Sequence, residues 1–137
     1  MESATLIHNL LHHLSAVLMR ESDQILQEQL GLTFSQFRIL GVLAENPALQ
    51  QRQLAVNLGQ TEASVSRQVK LLKKKGLLES RINPQNRREH MPVLTLKGER
   101  ITEAAQDILR NFQQGTIDHM GTKDQLHLLA LLTDVKH

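Results

Sequence analysis

The sequence predicts a mainly α-helical chain that carries one small β-hairpin. Three observations predict it. Apolar residues recur at spacings of three and four over most of the 137 residues. That period breaks once, between Leu77 and Leu96, where two short apolar-rich runs flank the turn-rich stretch Asn83-Pro84-Gln85-Asn86-Arg87-Arg88-Glu89-His90. Glycine, proline and capping residues stand where one periodic stretch gives way to the next. The length is that of a single domain with one hydrophobic core.

Residues 4–29 read as a long first helix, in which Leu6, Ile7, Leu10, Leu11, Leu14, Val17, Leu18, Ile25 and Leu26 share a face and Gly31 supplies the stop. Thr33 and Gln36 match a capping box for a second helix, which turns Phe37, Leu40 and Leu43 inward and ends at Asn46-Pro47. A short third helix covers about 50–58, with Leu54 and Leu58 as its apolar contacts and Gly59 closing it. Thr61 caps a fourth helix from Glu62 to Lys75, terminated by Gly76. The hairpin follows, with strands expected at Leu77–Ile82 and Met91–Leu96 and with Pro92 confined to an edge or a bulge. After Gly98 a helix carries the stripe Ile101, Ala104, Ala105, Ile108, Leu109 and Phe112, which Gly115 weakens. Gly121 separates it from a last helix, for which Thr122 and Gln125 form a second capping box and Leu126, Leu129, Leu132 and Val135 the apolar face.

Composition removes several classes of function. The absence of cysteine excludes disulfides, thiol redox chemistry and cysteine zinc sites. Nothing resembles a signal peptide or a membrane span, so a cytoplasmic protein is expected. With three phenylalanines and neither tryptophan nor tyrosine, stacking on single-stranded bases is disfavoured. No P-loop, GxSxG or other catalytic spacing of Ser, His and Asp is present, so neither an enzyme nor a cofactor is expected.

The net charge of +2 hides an asymmetry. Residues 1–66 hold three basic and six acidic side chains, residues 67–100 ten basic and three acidic, and residues 101–137 three basic and five acidic. A block of +7 between two acidic flanks is the footprint of a polyanionic partner, or of a solvated basic face. Helical geometry decides between them. Placing the fourth helix at ~100° per residue gathers Val65, Val69 and Leu72 on one side, to pack on Leu54 and Leu58. Ala63, Arg67, Lys70 and Lys74 occupy the other side, with Ser64 and Ser66 at its margins. Small and hydroxyl residues near the start of that face let it approach a DNA groove. Arg67 suits guanine, and Gln68, nearer the packed side, suits adenine if the helix is tilted. Lys70 and the run Lys73-Lys74-Lys75 suit phosphates. A short helix, a tight turn and a basic helix in that order make a helix-turn-helix. Arg87 and Arg88, at the hairpin tip, are placed to enter a narrow minor groove.

Arg67 through Gly98 resembles the MarR family of bacterial transcriptional regulators. The resemblance is carried by Leu72-Lys73-Lys74-Lys75-Gly76-Leu77, by Asn83-Pro84-Gln85-Asn86-Arg87-Arg88 and by Leu94-Thr95-Leu96-Lys97-Gly98, spaced as in the family without a gap. Helix order and length extend it over essentially the whole chain. It implies a winged helix-turn-helix at about 33–98, flanked by dimerisation helices at 1–30 and 99–137 within one domain. It also implies double-stranded DNA as partner, with Ser64, Ser66, Arg67, Gln68 and Lys70 on or beside the major-groove face and Arg88 as the wing arginine. The family usually has Asp where Asn86 stands, and often where Asn83 stands. A neutral amide cannot orient arginines as a carboxylate does, so a looser and more positive wing is expected. Many relatives release DNA when a small aromatic or phenolic effector binds; Phe37, His13 and Phe112 are candidate linings for such a pocket.

Spare apolar faces at both chain ends suggest an isologous homodimer, unless those helices pack within one subunit. A dimer places two recognition helices about one DNA turn, roughly 34 Å, apart on a palindromic site. His8 and His12 stand four residues apart on one helical face, which suits a shared metal, but no nearby acid completes a set; solvated or dimer-contacting histidines are expected instead. The reading from a different class is a winged-helix protein-interaction module that does not touch DNA. It would require neither the +7 segment nor the hairpin arginines.

Overall fold

The computed structural model describes residues 2–135, so Met1 and the last two residues of the expected dimerisation segments, Lys136 and His137, lie outside the described residues. The elements run α1 (Glu2–Leu30), α2 (Phe34–Glu45), α3 (Gln51–Leu58), α4 (Glu62–Lys74), β1 (Leu78–Asn83), β2 (Asn86–Leu94), α5 (Leu96–Ile117) and α6 (Thr122–Thr133). The helices of the central portion begin or end where their capping chemistry dictates. Thr33 and Gln36 form the expected box, with Thr33 Oγ1 accepting from Gln36 N–H at 3.0 Å and Gln36 Oε1 from Thr33 N–H at 3.2 Å. Thr61 Oγ1 accepts from Ser64 N–H at 3.1 Å and so starts α4. Gly76 ends it at φ 74°, a left-handed conformation in which a side chain would be strained, and the Leu77 N–H returns to the Leu72 carbonyl at 3.0 Å.

One core holds the winged portion together. Ile39, Leu40 and Leu43 of α2, Leu54 and Leu58 of α3, Val65, Val69 and Leu72 of α4, Leu77 and Leu78 at the start of the hairpin, and Ala105 and Leu109 of α5 are all buried. Only the C-terminal end of α1 joins them, through Leu26 and Ser22. Burying one such leucine contributes about 1.5–3 kcal/mol. The α3–α4 pair therefore sits on a scaffold of α2 and α5, and its orientation follows from packing. In contrast, residues 2–16 of α1 are exposed throughout, and α6 buries no residue. Leu6, Leu10 and Leu14 of α1 and Leu126, Leu129 and Leu132 of α6 all face solvent. No helix among the described residues is long and apolar enough to cross a membrane.

Five local expectations are corrected. The second strand begins at Asn86, five residues earlier than expected, because the hairpin closes through Pro84-Gln85 alone. Ile82 pairs with His90 and Asn83 with Asn86, so Arg87, Arg88 and Glu89 form a bulge with no register partner. The two arginines are thus bulge residues of β2 beside the tip and not turn residues. Pro92 pairs opposite Ser80; in a two-stranded sheet both strands are edges, so its missing N–H is tolerated.

The fifth helix begins before Gly98. Thr95 is its N-cap, accepting from Gly98 N–H at 3.0 Å, and Leu96 is helical. Gly98 is needed for close approach: a Cβ there would lie 2.1 Å from the Leu77 carbonyl oxygen. Finally, Thr122 is no cap. Gly121 occupies that position, and Gln125 Nε2 donates to the Met120 and Ile117 carbonyls. Val135 lies past the end of the last helix.

Candidate nucleic-acid interface

The exposed face of α4 is built by its buried face. With Val65, Val69 and Leu72 fixed in the core, the helix has no rotational freedom, and Ala63, Arg67, Lys70 and Lys74 are exposed on the opposite side. Ser64 and Ser66 are half-buried at the margins, as their positions on the wheel require. The C-terminal end of α4 is tied down. Thr95 Oγ1 donates to the Gly76 carbonyl at 2.6 Å, and the Leu77 carbonyl accepts from Thr95 N–H at 3.1 Å. Lys97 Nζ donates to the Lys75 carbonyl at 3.0 Å, a cation placed on a helix C-terminus. The segment Leu94-Thr95-Leu96-Lys97-Gly98 is in this sense the clamp that holds the basic helix against α5.

Three of the ten basic side chains between residues 67 and 100 are engaged inside the fold. Lys97 caps α4, and Arg81 pairs with Glu79 at 3.2 Å. Lys75 was expected among the phosphate anchors, but its Nζ donates to the Gly31 carbonyl at 2.8 Å and to Gln36 Oε1 at 3.2 Å. Among the described residues the other ion pair is Arg110–Asp107, so Arg67, Lys70, Lys74, Arg87 and Arg88 have no acidic partner. Their charge is directed at solvent, from the free face of α4 and from the wing.

Gln68 differs from the other reading candidates in having its side chain engaged within the fold. It is half-buried, and its Oε1 accepts from Gln36 Nε2 at 3.2 Å. Sequence reasoning treated Gln36 only as a cap. The available signal was its position one turn before Leu40 and two before Leu43, on the stripe that faces the core.

The wing base carries its own hydrogen bonds. Asn83 Oδ1 accepts from Gln85 N–H at 3.0 Å and Asn86 Oδ1 from Arg88 N–H at 3.2 Å, so both asparagines shape the backbone. The carboxylate near the wing tip is Glu89. It accepts from Asn83 Nδ2 at 3.1 Å and from Gln50 Nε2, which ties the wing to the start of α3. The looseness expected from the missing aspartates is therefore not seen in the hydrogen bonding, and the pairing with Gln50 was not legible from the sequence.

The expected effector lining is not brought together. A groove of about 470 Å³ lies between the end of α2, the hairpin and α5, and is lined by Leu43, Pro47, Arg81, Val93, Glu99 and Glu103 among others. Phe37 lines a separate shallow groove with Arg38, Asn57 and Gln106. His13 is exposed on α1 and Phe112 half-buried on α5, and neither lines those two grooves. His8 Nδ1 hydrogen-bonds to the Ala4 carbonyl at 3.0 Å, and among the described residues no group of three or more His, Asp or Glu gathers as a metal set.

Comparison with known proteins agrees with this geometry. The MarR family profile matches residues 30–89, from the end of α1 to the wing. No curated protein matches the chain. Among solved structures, the Staphylococcus aureus MepR–DNA complex superimposes with a TM-score of 0.80 at 26% identity, covering 92% of this chain and 93% of that one. A MarR/EmrR family transcriptional regulator from Acinetobacter sp. ADP1 gives 0.78 at 25% identity, covering 96% and 91%. Wild-type MarR from E. coli, in its apo form, gives 0.84 at 22% identity, covering 95% and 96%, a likeness of fold. A family match over the helix-turn-helix and wing, and a shared architecture from end to end, give one conclusion: residues 30–89 match the MarR family, and the chain as a whole is similar in fold to MarR-type transcriptional regulators.

Proposed function

We propose that this protein is a cytoplasmic, homodimeric regulator that binds palindromic double-stranded DNA and represses transcription in response to a small-molecule effector. The observation that carries the DNA-binding reading is the set of unpaired basic side chains on α4 and the wing. Arg67, Lys70 and Lys74 on the free face of α4 and Arg87 and Arg88 beside the wing tip have no acidic partners among the described residues. In this reading α4 enters the major groove, with Ser64, Ser66, Arg67 and Gln68 near base edges and Lys70 and Lys74 on phosphates. Arg87 and Arg88 reach the minor groove alongside. The MepR–DNA complex, which shares the fold over nine-tenths of both chains, supports it.

The winged helix spans about 33–98, and the segments at 1–30 and 99–137 form the dimer. Support for the dimer is the apolar surface of α1 and α6, with Leu6 59% and Leu126 63% exposed. Apolar helix faces left uncovered in this way mark an interaction site, and a second copy offers the self-complementary partner.

The alternative, a winged helix that binds only proteins, is separated by titrating a palindromic duplex at several salt concentrations. A DNA-binding dimer gives a log–log salt slope of about −0.9 per phosphate neutralised. Absence of salt-dependent binding to any duplex would leave the interaction module.

A further inference from the structure

Gln36 is only 4% exposed, yet it is polar and lies on the core-facing stripe of α2. Its Oε1 accepts from the backbone N–H of Thr33 and from Lys75 Nζ, both at 3.2 Å. Neither a peptide N–H nor an ammonium has a lone pair to offer, so the oxygen of Gln36 must face them. Its NH2 must therefore point the other way, where Gln68 Oε1 lies at 3.2 Å. A buried donor requires an acceptor, so Gln68 turns its oxygen inward. The Gln68 NH2 is then the half of its amide left to face the groove side of α4. Lys75 is itself fixed by its second bond, to the Gly31 carbonyl at 2.8 Å, which anchors the start of this relay to the end of α1.

We propose that Gln36 sets the amide polarity of Gln68, so that Gln68 reads DNA as a hydrogen-bond donor and not as the two-armed clamp that a free glutamine makes on adenine. The inference rests on the reading of α4 as the recognition helix. Clamping adenine requires the glutamine oxygen to accept from N6–H while its NH2 donates to N7. Here the oxygen is held against Gln36. An outward NH2 matches the two acceptors of guanine, N7 and O6, tolerates thymine O4, and opposes cytosine, whose groove edge presents a donor. Gln36 touches no base in this scheme; it is a positioning residue acting through Gln68.

The decisive variant is Gln36→Glu. Its carboxylate keeps the acceptor roles toward Thr33 and Lys75, but puts an oxygen where the NH2 faced Gln68. Gln68 must then rotate its amide, donating inward and presenting its oxygen to the groove. Relative affinities are measured for duplexes varied one base pair at a time through a half-site bound by the wild type. Wild type, Gln36→Glu, Gln68→Ala and the double variant are compared, with circular dichroism reporting the fold. One base pair should lose its preference in Gln68→Ala. There the wild type should favour guanine over cytosine by about fivefold, the worth of one hydrogen bond. Gln36→Glu should shift that preference toward cytosine or adenine, and the double variant should show none. A merely structural Gln36 would weaken every duplex by the same factor. Unchanged base preference in folded Gln36→Glu overturns the proposal, as does a wild-type preference for adenine or cytosine at the Gln68-dependent pair. Should Gln36→Glu fail to fold, Gln36→Met removes the relay without adding charge and should relax the preference, while the wild-type preference still decides. A wild type that binds no duplex would overturn the DNA-reading function itself; sequence-selective binding with no Gln68-dependent base pair would overturn this inference alone.

Discussion

Arg88 and Gly98 show how differently single residues act in one DNA-binding unit. Arg88 is exposed on the bulge, and its backbone N–H is held by Asn86 at 3.2 Å. Its side chain is free while its base is fixed. Arg88→Ala is expected to weaken operator binding by about 1–3 kcal/mol and to relax preference at an A·T-rich flank, leaving the melting temperature unchanged. Affinity titrations of both proteins at one salt concentration check this, and equal affinities would remove the wing from the mechanism. Gly98 acts through the fold instead. A methyl group there would meet the Leu77 carbonyl at 2.1 Å, in backbone that cannot yield without moving the end of α4. Gly98→Ala is expected to cost about 1–3 kcal/mol in urea unfolding, the usual penalty of overpacking. The residue was visible in the sequence as a motif glycine. Its reason was not, because the contact joins the segment after β2 to the residue before β1.

At the scale of the element, α4 was the most legible part of the chain. The spacing of Val65, Val69 and Leu72 and the cap at Thr61 are local, and they determine which face is buried and which is free. What could not be read was the use of its flanking charges. Lys75 looks like its neighbours Lys73 and Lys74 in the sequence, and only the fold places it against Gly31 and Gln36. The same holds for Glu89 and Gln50, whose pairing across 39 positions leaves no periodic trace. The face itself divides by position. Arg67 stands midway along the exposed face of α4 and Lys74 at its end, so Arg67→Ala should change which base pairs are preferred. Lys74→Ala should lower affinity for all sequences alike and reduce the salt slope by about one unit. Uniform loss in both variants would mean that Arg67 is not a base reader and that α4 lies differently in the groove.

For the whole molecule, the contrast is between a buried winged helix and uncovered ends. The capping box at Thr122 was misread because the Gln125 amide donates to the Met120 and Ile117 carbonyls that precede α6, and Gly121, not Thr122, stands at the N-cap. The apolar faces of the first and last helices were legible as excess surface, and the structure leaves both exposed within one subunit. Burial of each such side chain contributes about 1.5–3 kcal/mol before the cost of association is subtracted. Placing Glu at Leu129 and Leu132 is expected to give monomers, seen by sedimentation, with a circular dichroism spectrum that retains the winged helix. Because a monomer holds one half-site, its affinity for a palindrome should fall by more than any single phosphate contact contributes. A folded dimer after these changes would place the interface elsewhere.

Mapping the DNA sites that the intact protein occupies in its own cells tests the central claim most directly. The account expects a small set of sites at promoters, each a palindrome whose half-site centres lie about one helical turn, roughly 34 Å, apart. Occupancy no greater than nonspecific background, or recurrent sites without two-fold symmetry, would contradict a dimer that reads DNA through two copies of α4.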